Sequence, residues 1–246
     1  MTSYYAKKLS GARLQRCYDI APARVQQYLE SEITYLVSRL RTTDHVLELG
    51  CGYGRVAMRI ADVAARVVGI DVADESLSLA RQLAASSEKV EFLRMDARTL
   101  YFENECFHAV ACVQNGVCAF GVDQEQMLGE AWRLLRPGGV LLISTYSDAF
   151  WADRLAWFER QAEEGLIGAI DREASRDGTV VCVDGFRAGR ATPVQLRALG
   201  ALLGAEISVV EVDGSSLWCE LRKPAPRVGC EFANYSATRC IRAVLC

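Results

Sequence analysis

The segment that most constrains this chain is a short run in which an apolar strand leads through a glycine-rich turn into a helix. Residues 46–55 read Val-Leu-Glu-Leu-Gly-Cys-Gly-Tyr-Gly-Arg. Glycine lets the backbone approach a ligand closely, and the following helix offers free N–H groups at its N-terminus. The dinucleotide fingerprint G-x-G-x-x-G fails, because its third glycine would fall at Arg55. The carboxylate of Glu48 would repel a pyrophosphate and favours a ligand that carries an ammonium or sulfonium group.

Short apolar runs alternate with amphipathic stretches from His45 onward, which is typical of βαβ units and a parallel sheet. Pro137-Gly138-Gly139 is expected to end a helix, because proline cannot continue the hydrogen-bond ladder. An earlier helix is predicted over 22–40. We predict strands at 45–49, 67–70, 90–93, 109–113 and 140–145, with helices between them at 55–64, 75–86 and 124–135.

The strict alternation breaks after residue 145. We predict a helix at 149–164, β-like runs at 167–171 and 180–183 with a hairpin turn at Asp177-Gly178, a helix at 193–203, and a strand pair at 206–212 and 217–221. The expected organisation is an N-terminal helical cap or lid at 1–43, a main domain at 44–223 with a substrate-side insertion at about 147–190, and a tail at 224–246.

Two acids follow the second and third predicted strands. Asp71 can accept both hydroxyls of a ribose, and Asp96 can accept an exocyclic adenine N–H. Taken alone, Asp71 could be a helix cap and Asp96 a turn residue. Both lie where the carboxyl ends of parallel strands meet, which is where open α/β sheets bind ligands. The ordered set therefore favours a nucleoside site.

Four sequence blocks lie in order within residues 44–145: E-L-G-C-G-Y-G, G-I-D, M-D-A and W-R-L-L-R-P-G-G-V-L-L-I-S. Together they resemble the class I S-adenosylmethionine-dependent methyltransferases, and they are similar to the small-molecule branch found in menaquinone and natural-product biosynthesis. The resemblance implies an α/β fold with a doubly wound, mostly parallel, Rossmann-like sheet of seven strands whose last strand is antiparallel. It also implies S-adenosyl-L-methionine as the cofactor.

The resemblance assigns roles to individual positions. Glu48 would border the methionine part of the cofactor, Asp71 the ribose, and Asp96 the adenine. Gln114 and Asn115 would face the methyl group and the acceptor. The cofactor-binding residues expected in this way are Glu48, Gly50, Cys51, Gly52, Asp71, Val72, Asp96, Ala97 and Gln114.

The acceptor chemistry is less constrained. A sulfonium already activates its methyl group, so positioning a nucleophile can suffice and a general base is not obligatory. Tyr146, just past the fifth strand, is expected to face the pocket, and it is a catalytic candidate together with Asn115. Further candidates for a base are Tyr5 and Asp184. The two histidines, His45 and His108, open strands and are expected at the opposite edge of the sheet.

Two segments outside the sheet are candidates to cover the pocket. Tyr4 and Tyr5 lie in a segment that could fold over the cofactor as a lid, the alternative being a frayed terminus. Aromatic residues at positions 150, 151, 157 and 158 follow helical spacing. Part of this stripe is expected to pack in the core, and the rest to line an apolar acceptor pocket or to hold a cation.

The chain has ten cysteines, but no pair forms C-x-x-C, so neither a zinc site nor a disulfide framework is expected, and no metal site is predicted. Most cysteines are interpreted as small apolar residues or free thiols. The alternative is that Cys112 and Cys118, with Cys182 and Cys219 on the substrate side, bind a soft metalloid such as arsenite.

The predicted function is methyl transfer to a small molecule, with an oxygen, nitrogen, sulfur or carbon nucleophile all open. A non-catalytic cofactor-binding regulator, and a methyltransferase for a thiol or for arsenite, are the alternatives. The net charge of −3 disfavours nucleic-acid partners, and the run Gln114-Asn115-Gly116-Val117 differs from the Asn-Pro-Pro-Tyr motif of amide- and base-modifying relatives. No apolar run suggests a membrane span or a secretory signal, so a cytoplasmic location is expected, and the oligomeric state stays open.

Overall fold

The computed structural model describes residues 4–120 and 123–225. In this part of the chain, a seven-stranded sheet has the order β3-β2-β1-β4-β5-β9-β8, and a separate two-stranded sheet is formed by β6 and β7. The strands are β1 His45–Leu49, β2 Arg66–Asp71, β3 Val90–Arg94, β4 Phe107–Cys112, β5 Leu135–Tyr146, β6 Val180–Val181, β7 Arg187–Ala188, β8 Glu206–Val212 and β9 Ser216–Arg222. The helices are α1 Tyr4–Lys8, α2 Gly11–Asp19, α3 Ala23–Val37, α4 Arg55–Ala61, α5 Asp74–Leu83, α6 Gly116–Ala119, α7 Gln124–Leu134, α8 Trp151–Glu163 and α9 Pro193–Leu202.

The direction of the strands confirms the predicted fold class. β1 pairs in parallel with β2 and with β4, and the outer pairs β2–β3 and β4–β5 are also parallel. β9 is antiparallel to both β5 and β8. Since the chain runs outward from β1 in one direction and then returns to β4 on its other side, the strand order reverses at β1. That reversal opens a crevice above the carboxyl ends of β1 and β4, where such sheets bind ligands.

The central strands are apolar on both faces because helices cover both sides of the sheet. One face packs against α7 and α9 through residues such as Leu47 and Met127. The other face packs against α3, α4 and α5 through residues such as Val46, Ile60 and Leu36. Fully buried side chains in this region hold the strand ends in fixed positions, so the residues that follow them share a rigid base.

A third apolar cluster lies outside the sheet and joins the N-terminal helices to the insertion after β5. It packs Leu9, Tyr28 and Phe150 against Trp157 and Phe186. The predicted cap at 1–43 therefore divides into two parts. α3 packs on the sheet through Leu36 and on the third cluster through Tyr28, whereas the apolar side chains of α1 and α2 belong to the third cluster.

Two local predictions need correction. α7 ends at Leu134 and β5 begins at once, with Leu135 paired to Phe107. Pro137-Gly138-Gly139 thus lies inside the strand, at the irregularity where the register moves on to Ala109 and Val140. Gly138 has a φ of 79°, a left-handed value that glycine adopts without steric cost.

The second correction concerns the insertion. The expected pairing of 167–171 with 180–183 is reduced to a single bridge between Ile170 and Cys182, and β6 pairs with β7 instead. The hairpin turn is present, because Asp177 and Gly178 have φ values of 53° and 72° between bridged neighbours. The other predicted elements are present with ends shifted by a few residues. Within the residues described, no helix is long and apolar enough to cross a membrane.

Candidate functional site

A cavity of about 860 Å³ opens at the carboxyl ends of the parallel strands. This volume lies in the range of small-molecule sites. Its lining includes residues that follow β1, β2, β3 and β4, together with α1, α2 and α8. All the residues expected to bind the cofactor line it: Glu48, Gly50, Cys51, Gly52, Asp71, Val72, Asp96, Ala97 and Gln114.

The glycine-rich turn lies against this cavity in a conformation that other residues avoid. Gly50, Gly52 and Gly54 have φ values of 70°, 54° and 83°. A Cβ atom on Gly50 would lie 2.4 Å from the ring of Phe120, and one on Gly52 would lie 3.0 Å from Leu14. The glycines therefore admit two protein side chains close to the loop, a reason for them that the sequence did not reveal.

Glu48 lies in β1 and points into the cavity wall. It is only 2% exposed, and its Oε2 atom has no hydrogen-bond partner among the described residues. Burial raises the pKa of this carboxyl to about 8, an effect that the charge of Arg55 opposes and that of Asp71 reinforces. A buried acid with one unpartnered oxygen beside a cavity is suited to a positively charged ligand.

Asp71 ends β2 and is held by the backbone. One carboxylate oxygen accepts the N–H of Gly52 at 2.9 Å, and the other accepts the N–H of Ala73 at 2.8 Å. Burial nevertheless raises the pKa of Asp71 above its ordinary value. Because each carboxylate oxygen has two lone pairs, both can accept a further hydrogen bond from a ligand.

Asp96 follows β3 and forms an ion pair with Arg98, whose Nη2 lies 2.7 Å from its Oδ2. The hydrogen bonds from Arg98 hold the pKa of Asp96 below its ordinary value. This partner was not foreseen. A ligand amine at this position would share the carboxylate with a guanidinium.

Gln114 and Asn115 follow β4 with φ values of 51° and 63°, both in the left-handed region although neither is glycine. Strained backbone of this kind concentrates at functional sites. The Gln114 N–H donates to Ser144 Oγ at 2.8 Å, and its side-chain oxygen accepts the Tyr18 hydroxyl at 2.9 Å. Its Nε2 atom is buried without a partner among the described residues, so this amide can still donate.

Asn115 does not line the cavity, so the prediction that it faces the acceptor is wrong. Its side chain is 2% exposed, and both polar atoms of its amide form hydrogen bonds. Nδ2 donates to the carbonyl of Gly189 at 2.9 Å, and Oδ1 accepts the hydroxyl of Thr145 at 2.7 Å. Asn115 therefore joins the end of β4 to the insertion.

The structure separates the candidates for a base. Tyr146 lines the cavity, but burial raises its pKa to about 12, so its hydroxyl stays protonated near neutral pH and can donate a hydrogen bond. Asp184 lies outside the lining, where it accepts the hydroxyl of Tyr4 at 2.5 Å. His45 and His108 contact each other at the opposite end of the sheet, as expected.

The aromatic candidates also divide. Tyr5, Trp157 and Phe158 line the cavity, whereas Phe150 is fully buried in the core. Tyr5 follows Tyr4 in α1, whose position over the cavity fits the lid interpretation. The lining residues that the sequence analysis missed include Tyr18 and Arg55, whose guanidinium lies 5.0 Å from the Tyr18 ring. The apolar face of residues 11–19 was the available signal for Tyr18.

The cysteines do not assemble into a metalloid site in the part of the chain that the structure describes. No group of three possible metal-binding side chains comes together there. Cys112, Cys118, Cys182 and Cys219 do not line the cavity. Three further cysteines, at 230, 240 and 246, lie outside the described residues, as does most of the predicted tail.

The residues present fit a positively charged nucleoside. Glu48 and Gln114 both line the cavity, and their unpartnered Oε2 and Nε2 atoms are an acceptor and a donor, which suits an amino-acid group with an ammonium and a carboxylate. Asp71 retains lone pairs for hydroxyl donors.

Comparisons with known proteins agree with this geometry. Residues 46–139 match the family described as "Methyltransferase domain". The chain is 39% identical over 105 residues to a demethylmenaquinone methyltransferase of Thermus thermophilus, covering 40% of this chain and 45% of that protein. It is 34% identical over 136 residues to an arsenite methyltransferase of Aquipseudomonas alcaligenes, covering 51% of this chain and 39% of that protein. The chain thus spans less than half the length of these two curated relatives.

A solved structure of an S-adenosylmethionine-dependent methyltransferase from Methanosarcina mazei has the same fold, with a TM-score of 0.59, 19% identity, and coverage of 78% of this chain and 98% of that one. At this identity the likeness concerns the fold alone. The comparisons confirm the resemblance predicted from the four sequence blocks.

Proposed function

We propose that this chain, which carries a methyltransferase domain of the class I, S-adenosylmethionine-dependent type, transfers a methyl group from S-adenosylmethionine to a small-molecule acceptor. The observation that supports this most is the convergence of nine residues from four strand ends on one cavity. Their order along the sheet is the order of the parts of the ligand: amino acid near Glu48, ribose near Asp71, adenine near Asp96.

The cofactor, when bound, supplies an electrophilic methyl group on a sulfonium. The protein residues then have three tasks. Glu48 holds the ammonium group, Asp71 accepts the ribose hydroxyls, and Asp96 with Ala97 borders the base. Gln114, on strained backbone at the end of β4, lies between this region and the aromatic residues that would receive the acceptor.

Positioning and exclusion of water account for the rest of the chemistry. Tyr146, Trp157 and Phe158 are each less than a tenth exposed, although they line the cavity. An acceptor held against these rings would be kept in line with the methyl group and away from water. Orientation of this kind can supply up to about 7–11 kcal/mol of the barrier.

Isothermal titration with S-adenosylmethionine and S-adenosylhomocysteine tests the binding half of the proposal. We expect micromolar affinity for both ligands. A metabolite library screened for release of S-adenosylhomocysteine tests transfer. Binding without turnover on any acceptor would favour the alternative of a regulatory protein, and absence of binding would remove the proposal.

The choice of a small-molecule acceptor is supported by the burial of the aromatic residues and by the net charge of −3, which does not favour a polyanion. A cytoplasmic location is consistent with the cysteines, which form no disulfide within the described residues. Arsenite as acceptor has no support from the described cysteines, because no three of them share a site there.

A further inference from the structure

The part of the cavity beyond the cofactor residues is walled by aromatic rings. They come from three separate segments: the N-terminal helices, the end of β5, and α8. Flat walls of this kind favour a planar acceptor, because rings pack face to face or edge to face at close range. The rings are Tyr5, Tyr18, Tyr146, Trp157 and Phe158.

This aromatic part contains no evident proton acceptor among the described residues. The carboxylates in the lining are Glu48, Asp71 and Asp96, which lie in the cofactor part. Burial raises the pKa of Tyr5, Tyr18 and Tyr146, so their hydroxyls remain protonated near neutral pH. A nucleophile that had to lose a proton in the reaction would find no base here.

A buried positive charge lies directly behind this wall. Arg154 is 1% exposed, and its guanidinium carbon lies 3.9 Å from the centre of the Tyr146 ring. Its Nη atoms donate to the carbonyls of Gly178, Ala188 and Gly189. The groups that act most strongly on its charge are tyrosines and Cys118 and include no carboxylate, and its Nε has no hydrogen-bond partner among the described residues. A buried cation balanced only by carbonyl dipoles is costly unless a negative charge comes near it.

The field of Arg154 reaches the cavity. It lowers the pKa of Tyr5 and Tyr146, although burial outweighs it for both. The opposing groups are Glu32 and Cys118, which raise the pKa of Tyr146. Glu32 has a pKa raised to about 7 by burial and is therefore partly neutral at physiological pH. Arg154 is thus the positive charge that acts on Tyr5 and Tyr146, whereas Arg55 acts on the opposite wall, at Tyr18.

We infer that the acceptor is a planar aromatic compound whose acidic hydroxyl enters the cavity as an oxyanion, and that Arg154, behind Tyr146, determines this preference. The inference rests on the proposed function and narrows its acceptor. The oxyanion forms a bond to the methyl carbon, the carbon–sulfur bond breaks, and the electron pair of that bond stays on sulfur. No proton has to leave, which matches a wall without a base.

A pair of matched probes tests this. 4-Nitrophenol ionises near neutral pH, whereas 4-nitroaniline has the same shape and stays neutral. Calorimetric titration of each into protein saturated with S-adenosylhomocysteine at pH 8 is expected to show at least tenfold tighter binding of the phenol. This preference should disappear at pH 5, where the phenol is protonated.

Two variants of Arg154 separate charge from packing. Arg154→Gln removes the charge and should reduce the preference to less than threefold, whereas Arg154→Lys keeps the charge and should preserve most of it. Arg160→Gln, on the exposed face of the same helix, is the control and should behave as the wild type.

Equal binding of the two probes by the wild type, binding of neither, or an unchanged preference in Arg154→Gln would overturn the inference. If Arg154→Gln does not fold, the inference is judged on the preference of the wild type for 4-nitrophenol over 4-nitroaniline. Affinity for S-adenosylhomocysteine is measured first in each sample. Its absence would count against the proposed function, whereas its presence with no preference for the phenol would count only against this inference.

Discussion

The cofactor part and the acceptor part of the cavity differ in how far apart their residues lie in the chain. In the cofactor part, Glu48, Asp71 and Asp96 each lie in or directly after a strand of the parallel sheet. In the acceptor part, residues far apart in the chain meet, as when the Trp157 indole N–H donates to the carbonyl of Cys17 at 2.8 Å. The first part is therefore encoded by short local motifs, and the second by tertiary packing that no short motif records.

The cofactor part and the acceptor part also differ in the interactions that hold them. The cofactor part rests on fully buried strands such as β1, whose Val46 and Leu47 have no exposed surface. The acceptor part is held in addition by surface contacts, such as Lys8 with Asp184 at 3.3 Å and Arg16 with Glu164 at 3.0 Å. Exposed ion pairs of this kind contribute about 0–1 kcal/mol each. These ion pairs therefore add little to the acceptor part, which is held mainly by the buried aromatic side chains of the third apolar cluster.

Among substitutions in the cofactor part, we expect the largest loss of ligand affinity at Gly52. Gly52→Val places a branched side chain where φ is 54° and where a Cβ already lies 3.0 Å from Leu14. We expect the affinity for S-adenosylhomocysteine to fall more than about 100-fold, because the loop must move away from the cavity. Gly129→Val, where a Cβ meets nothing within 4 Å, is the control. Normal binding by Gly52→Val would show that this loop does not contact the cofactor.

Asp71→Ala removes a buried acceptor in the same part of the cavity. The expected loss is about 1.5–3 kcal/mol of binding free energy, or roughly 10–150-fold in the dissociation constant of S-adenosylhomocysteine. Calorimetry measures it directly. Asp74→Ala, with a side chain that is 75% exposed, should change the affinity by less than twofold. Equal behaviour of the two variants would place the ribose elsewhere.

Glu48→Gln should have opposite effects on binding and on stability. The loss of charge weakens binding of S-adenosylhomocysteine by about tenfold. The pKa of Glu48 is raised from 4.5 to about 8, so the burial penalty is absent below pH 4.5 and grows as pH rises towards 8. The variant without ligand should therefore melt several degrees higher than wild type at pH 8 and at the same temperature near pH 4.5. Scanning calorimetry at both values checks this, with the partly exposed Glu91→Gln as the control.

Asn115→Ala should have the smallest effect on the cofactor. It breaks two buried hydrogen bonds to Gly189 and Thr145, for an expected cost of about 1–3 kcal/mol of folding free energy, or roughly 2–10 °C in Tm. Affinity for S-adenosylhomocysteine should stay within twofold of wild type. Asn104→Ala, which alters one exposed contact, should leave Tm nearly unchanged. A large loss of affinity in Asn115→Ala with an unaltered Tm would restore Asn115 to the site.

The features that could be predicted from sequence belong mainly to the cofactor part. The parallel strands and the cofactor candidates could be placed from sequence because an apolar run, a glycine turn and a strand-end acid are all local patterns. Asn115 was misplaced because its neighbour Gln114 shares the same strained turn, and only the position of Gly189 in the insertion decides which side chain faces the cavity.

Other features depended on contacts between distant segments. The close approach of Phe120 to Gly50 and the ion pair of Arg98 with Asp96 leave no periodic signal. The β6–β7 pairing was missed because two-residue strands are too short to show alternation. Arg154 lay within a predicted helix, but its burial follows from carbonyls that lie 24 or more residues away.

A crystal structure of the protein with S-adenosylhomocysteine tests most directly whether this cavity binds the cofactor. We expect ribose hydroxyls within hydrogen-bond distance of Asp71, the amino group beside Glu48, and the adenine against Asp96 and Ala97. A nucleoside bound at another place, or a cavity that keeps Phe120 against Gly50 and admits no ligand at saturating concentration, would contradict it.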